Sequence, residues 1–162
     1  MPDRPASPAR QELDEILASM VPTLDALDLS DAPAATYRLE SDWPFDGPVM
    51  QRVFALCQVG IEEGWLAPRE AGPQVRFGRL HKDLGGYAVD CVLMKGVALG
   101  HTHPRGEVTM AFGWEGEPRF DGYAPNWVVY PAGSHHVPTV TGGRMLFAYF
   151  LPGGEVVWDR PE

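Results

Sequence analysis

Cysteine is scarce in this 162-residue chain. Cys57 and Cys91 stand in unlike apolar surroundings and form no CxxC pair, so two buried free thiols are expected rather than a disulfide framework or a thiolate metal site. Positive charge is also short. Thirteen Lys and Arg face 22 Asp and Glu, a net charge of −9. That excludes the basic footprint which nucleic acid or an anionic membrane surface demands. It does not exclude a small anionic substrate, because one or two guanidinium groups dominate locally. No apolar run approaches the ~18–20 residues of a membrane-spanning helix. Residues 1–10 are polar and Pro-rich and lack the apolar stretch of a secretory signal, so a cytoplasmic protein is expected. The phosphate-cradling patterns GxGxxG and GxxxxGK[ST] are missing, and so is the GxSxG elbow of a serine hydrolase.

Glycine and proline, by contrast, are abundant, at 18 and 16 residues. With 44% apolar residues spread along the chain, they punctuate short strands rather than mark disorder. A chain of this length buries about 70% of its unfolded surface, enough for one domain without a structural metal. Residues 1–8 read as a tail. Leu13, Ile16, Leu17, Met20, Leu24 and Leu27 follow at helical spacing, with Pro22 expected to kink or divide that helix. Residues 28–44 read as a connection. Val49, Val53, Leu56, Cys57, Gly60 and Ile61 share a second helical stripe, begun by Pro48 and stopped by Gly64. Beyond Trp65 the period changes to two. Extended stretches are expected at 75–80, 87–94, 107–112, 127–130, 145–151 and 155–158. The reading is mainly β: a helical prefix over 1–70 packed on a β-barrel over 71–162, in one compact domain.

Four of the five histidines form two clusters inside the β region. The first is Gly100-His101-Thr102-His103-Pro104-Arg105-Gly106-Glu107. Residues two apart on a strand share a face, so His101 and His103 point the same way. Glu107 lies at even spacing from both and rejoins them after the Pro104–Gly106 bend. Two imidazoles and a carboxylate make a site for a divalent first-row metal. The second cluster, Pro131-Ala132-Gly133-Ser134-His135-His136, brings one of its two histidines in as a fourth ligand. His81 stands alone beside Lys82, Asp83 and a Gly-Gly pair and reads as a solvated turn residue.

His101-x-His103-x3-Glu107-x5-Gly113 resembles the first motif of the cupin superfamily, and Pro131-x-Gly133-x2-His136 resembles the second. That resemblance implies a double-stranded β-helix barrel with one metal held by His101, His103, Glu107 and His136, and with His135 turned away. A closer resemblance spans about residues 45–158. Gly60-Ile61-Glu62-Glu63-Gly64-Trp65-Leu66, Val75-Arg76-Phe77-Gly78-Arg79, Arg119-Phe120-Asp121-Gly122 and His136-Val137-Pro138-Thr139-Val140-Thr141-Gly142-Gly143 are similar to the 4-hydroxylaminobenzoate lyase family. The resemblance implies conversion of 4-hydroxylaminobenzoate to 3,4-dihydroxybenzoate (protocatechuate) and ammonia in bacterial nitroaromatic breakdown. The reaction adds only one water and needs no dinucleotide. The same ligands on iron suit an alternative, a cupin dioxygenase or isomerase acting on another small aromatic or organic acid. A non-enzymatic small-molecule-binding cupin is the third reading.

The ligand set admits Fe, Mn, Ni, Co or Zn. An aryl carboxylate wants a guanidinium fork. Arg79 is the expected partner, with Arg105 and Arg119 next. Tyr149 and Trp127 are the expected aromatic contacts to the ring, with Tyr87 and Tyr130 behind them. Trp114 and Trp158 read as packing. A homo-oligomer, taken as a dimer, is expected by analogy with barrel enzymes of this size.

Overall fold

The computed structural model describes residues 6–160. Of the tail expected over 1–8, residues 1–5 lie outside the described residues. Helix α1 (Pro8–Asp25) is capped by the Ser7 hydroxyl, which accepts from the Arg10 N–H. It runs unbroken through Pro22, contrary to expectation. Proline in the last turn removes a single ladder bond and leaves the helix intact. The stretch read as a connection holds a second helix, α2 (Ala32–Asp42), capped by Asp31 with Pro33 in its first turn. It buries only Ala35 and Leu39, and so weak a stripe gives little periodic signal. Helix α3 (Pro48–Glu63) begins at Pro48 and ends on Gly64 in the left-handed region at φ 84°.

Among the described residues nine strands follow: β1 (Arg69–Glu70), β2 (Val75–Leu84), β3 (Tyr87–Val97), β4 (His101–His103), β5 (Glu107–Phe120), β6 (Asn126–Tyr130), β7 (Ser134–His136), β8 (Thr139–Pro152) and β9 (Val157–Trp158). They form a six-stranded sheet in the order β1-β2-β3-β8-β5-β6 and a three-stranded sheet in the order β7-β4-β9, with all pairs antiparallel. β5 and β8 run well beyond the expected 107–112 and 145–151. Their ladder continues through register shifts at Gly113 to Arg119. Gly143 makes this possible: a Cβ there would sit 1.9 Å from the Glu115 carbonyl oxygen, so only glycine lets the two backbones approach.

Strand alternation divides the core. Val89, Cys91, Leu93, Val108, Met110, Phe112, Leu146, Ala148 and Phe150 face the helices. Met94, Ala111, Val128, Met145 and Phe147 fill the barrel between the two sheets. The helical prefix therefore covers the outer face of the large sheet, and the opposite face is left to line a cavity. Cys57 and Cys91 are buried free thiols, and burial raises the Cys57 pKa to about 12. His81 is a β2 residue rather than a turn residue. Its Nε2 lies 2.6 Å from Asp14 Oδ1, which ties α1 to the sheet. Among the described residues, no helix is long and apolar enough to cross a membrane.

Candidate metal centre

Three β-strands deliver the two histidine clusters to one point. β4 pairs with β7 in the register His101↔His136, Thr102↔His135 and His103↔Ser134. His101 and His103 therefore face inward with His136, while His135 faces out and contacts the Asp159 carboxylate, at 2.8 Å to Oδ2. Glu107 opens β5 directly after the His103–Gly106 turn and is buried. One ligand atom from each of His101, His103, Glu107 and His136 lies within 4.8 Å of every other. Three of the four side chains are buried and His136 is half-buried.

The hydrogen bonds around this cluster set its electronic character. His136 Nδ1 lies 2.7 Å from Asp121 Oδ2, His101 Nδ1 3.3 Å from the Leu99 carbonyl, and His103 Nδ1 3.5 Å from the Ser134 hydroxyl. With acceptors at the Nδ1 positions, the Nε2 lone pairs are directed at the centre of the cluster. There His101 Nε2 and His136 Nε2 are 3.2 Å apart. His103 Nε2 and Glu107 Oε2 touch, yet each is buried without a hydrogen bond. Three imidazoles and a carboxylate converging on one point, with His103 Nε2 and Glu107 Oε2 buried and unpartnered there, fit a bound cation. Burial pushes the Glu107 pKa up, but the His101 and His103 imidazoles and the Thr109 hydroxyl outweigh it and hold the group at about 2. Glu107 therefore enters the site as a carboxylate. Thr109 Oγ1 donates to its other oxygen at 2.6 Å.

Asp121 and Tyr130 complete the surroundings. The Tyr130 hydroxyl donates to Asp121 Oδ2 at 2.6 Å, the Thr139 N–H donates to Oδ1 at 2.9 Å, and the Tyr130 ring stands 4.1 Å from that of His136. Burial raises the Asp121 pKa, and its hydrogen bonds with His136, Tyr130 and Thr139 more than reverse the shift. Nothing in the local sequence marks Asp121 as a functional residue by charge pattern or period. It lies in a turn fifteen residues from His136, and only the Arg119–Gly122 motif marked it.

The cluster forms part of the wall of a cavity of about 780 Å³. Arg79 and Tyr149 line this cavity and Trp127 does not. Trp127 pairs with Met110 on the helix-facing parity of the sheet, where its Nε1 donates to the Trp43 carbonyl at 2.8 Å. The expected ring contact is thereby corrected. The Arg79 fork is already engaged: Nε and Nη2 donate to the two oxygens of Asp90 at 2.7 and 3.2 Å. Arg10 and Arg69 add further guanidinium groups to the same wall. Arg105 and Arg119 lie outside it and are exposed, and Tyr87 bonds Asp25 on the helix side. Trp158, read as packing, is 50% exposed, lines the cavity and sits 4.8 Å from the His101 ring.

Two antiparallel sheets that bring a His3Glu cluster to one cavity wall define a mainly β protein with a site able to hold a metal. A sequence model of the family described as 4-hydroxylaminobenzoate lyase matches residues 20–158, and the chain belongs to that family. It is 30% identical over 129 residues to the 4-hydroxylaminobenzoate lyase of Nocardioides sp. (strain LMS-CY), covering 67% of this chain and 72% of that protein. To the lyase of the same name from Pseudomonas putida it is 28% identical over 149 residues, covering 75% and 80%. The fold is similar over 97% of this chain to the DMSP lyase DddQ from Ruegeria pomeroyi DSS-3, at 19% identity, a TM-score of 0.56 and 99% of that chain. The chain is an enzyme of the 4-hydroxylaminobenzoate lyase type.

Proposed function

We propose that the enzyme converts 4-hydroxylaminobenzoate and one water to 3,4-dihydroxybenzoate and ammonia, at one divalent metal held by His101, His103, Glu107 and His136. The observation that supports this most is the convergence of those four ligand atoms within 4.8 Å on the wall of an aromatic-lined cavity, in a chain of this family. His101, His103 and His136 would each offer Nε2, and Glu107 would offer Oε2. A divalent ion there supplies Lewis acidity toward a substrate oxygen and a more acidic bound water. Asp121 holds the His136 ring by its Nδ1, and Thr109 holds the second oxygen of Glu107, so both ligands are kept in place.

The ring fits between Phe77, Phe147 and Tyr149, which line the cavity together. The substrate carboxylate goes to the edge of the large sheet, where Arg10, Arg69 and Arg79 line the wall. Asp90 neutralises part of this charge through Arg79, and Arg69 makes no ion pair among the described residues. Along the reaction the N–O bond breaks and its oxygen departs as water after taking a proton. One water adds to the neighbouring ring carbon, and a second displaces nitrogen as ammonia. No electron donor or dioxygen enters the balance.

The test is turnover of 4-hydroxylaminobenzoate by metal-loaded protein under strict anaerobiosis, without NAD(P)H, in 18O-labelled water. Full-rate formation of catechol product and ammonia, with label from water in the ring hydroxyls, is expected. No turnover without oxygen, together with oxygen consumption matched to product in air, would reject the lyase reading in favour of a dioxygenase.

A further inference from the structure

The large sheet carries a polar row across its cavity face. In register, Arg79 on β2 faces Asp90 on β3, Asp90 faces Tyr149 on β8, and Tyr149 faces Thr109 on β5. Every member but one is partnered. Arg79 bonds Asp90 through both carboxylate oxygens, and Thr109 bonds Glu107. The Tyr149 hydroxyl makes no hydrogen bond among the described residues, although the ring is no more than half-exposed and lines the cavity. Tyr87 bonds Asp25 and Tyr130 bonds Asp121, whereas the Tyr149 hydroxyl is left open on the cavity side. Tyr149 thus has one open donor, on the strand next to β5, which carries Thr109 and Glu107.

Its place matches one atom of the substrate. A para-substituted benzoate with its carboxylate at the Arg79 edge directs its other substituent along this row toward Glu107. We propose that the Tyr149 hydroxyl is a catalytic hydrogen-bond donor to the hydroxylamino oxygen, the atom whose bond to nitrogen breaks. This rests on the lyase reading above. The electron pair of the N–O bond goes to that oxygen, so negative charge builds on it and the hydrogen bond strengthens in the transition state. Burial, and then the nearby Glu107 and Asp90 charges, push the Tyr149 pKa well above that of an ordinary phenol, so the group remains a donor at neutral pH.

Two inert ligands isolate the contact from catalysis. In 4-(hydroxymethyl)benzoate a CH2 replaces the N–H, so the hydroxyl keeps its place and has no N–O bond to lose. In 4-methylbenzoate the hydroxyl is gone. Calorimetry on metal-loaded wild type and Tyr149→Phe gives the four affinities. The variant should bind 4-methylbenzoate as the wild type does and lose about fivefold of the preference for the hydroxymethyl ligand. With 4-hydroxylaminobenzoate its kcat should fall about 100-fold while metal content stays that of the wild type. A preference unchanged by Tyr149→Phe, or a kcat within about twofold of wild type, overturns the role of Tyr149 alone. A wild type that binds neither benzoate and does not turn over 4-hydroxylaminobenzoate overturns the lyase reading, and this role with it.

Discussion

His135 and His136 are neighbours in the chain that β7 sends to opposite sides. Pairing with β4 sets His136 Nε2 3.2 Å from His101 Nε2 and leaves His135 against Asp159. His136→Ala should therefore lower metal affinity, and His135→Ala should leave it unchanged. Both are read by titration of a divalent ion into the apo-protein. The reverse pattern would reject this ligand set. Replacing His101 or His103 by Ala should remove most of an expected stoichiometry of one metal per chain, measured by elemental analysis. Asp121 acts one bond further out. Asp121→Asn keeps the shape but weakens the acceptor for His136, and a loss of about 10–100-fold in metal affinity is expected. The HxH spacing and the following carboxylate made three residues of the cluster, His101, His103 and Glu107, legible in the sequence. Asp121 was not legible, because an acidic residue in a loop carries no period and its partner is fixed only by folding.

Trp127 shows how strand parity decides what a side chain can do. Its neighbours Val128 and Met110 lie on opposite faces of the large sheet, and Trp127 shares the helix-facing side with Met110. Trp127→Phe should cost about 1 kcal/mol through the lost bond to the Trp43 carbonyl, and KM should be unchanged. Denaturant unfolding and steady-state kinetics separate the two effects. In α3, Gly60 meets the Trp65 ring so closely that a Cβ would lie 2.8 Å from it. Gly60→Ala should overpack this contact, at about 1–3 kcal/mol. A Tm lower by several degrees is the readout. Helices α1 and α3 were readable because each repeats apolar residues over four turns or more. Helix α2 was not, since two buried residues set no period and Pro33, with Pro44 just beyond the helix, mimics a connection.

At the scale of the whole molecule, two apolar clusters among the described residues stabilise the fold, and neither includes His101, His103, Glu107 or His136. Chelation should therefore abolish activity while the far-UV circular dichroism stays that of a folded β-rich protein. A chain that unfolds on chelation would show that the ion supplies folding energy as well as chemistry. Composition, periodicity and the two histidine clusters were enough, by themselves, to establish a mainly β chain with a helical prefix and to single out His101, His103 and Glu107, while the choice of His136 over His135 came with the motif resemblance. These are local properties: alternation and short spacings are written in neighbouring residues. Only the tertiary structure decided which wall of the barrel faces the cavity, that Asp90 already holds the Arg79 fork, that Trp158 from the far end of the chain stands over His101, and that Asp121 stands behind His136. Those contacts join residues from 11 to 57 positions apart through strand register, and one chain read in order contains no term for register between strands that have yet to meet.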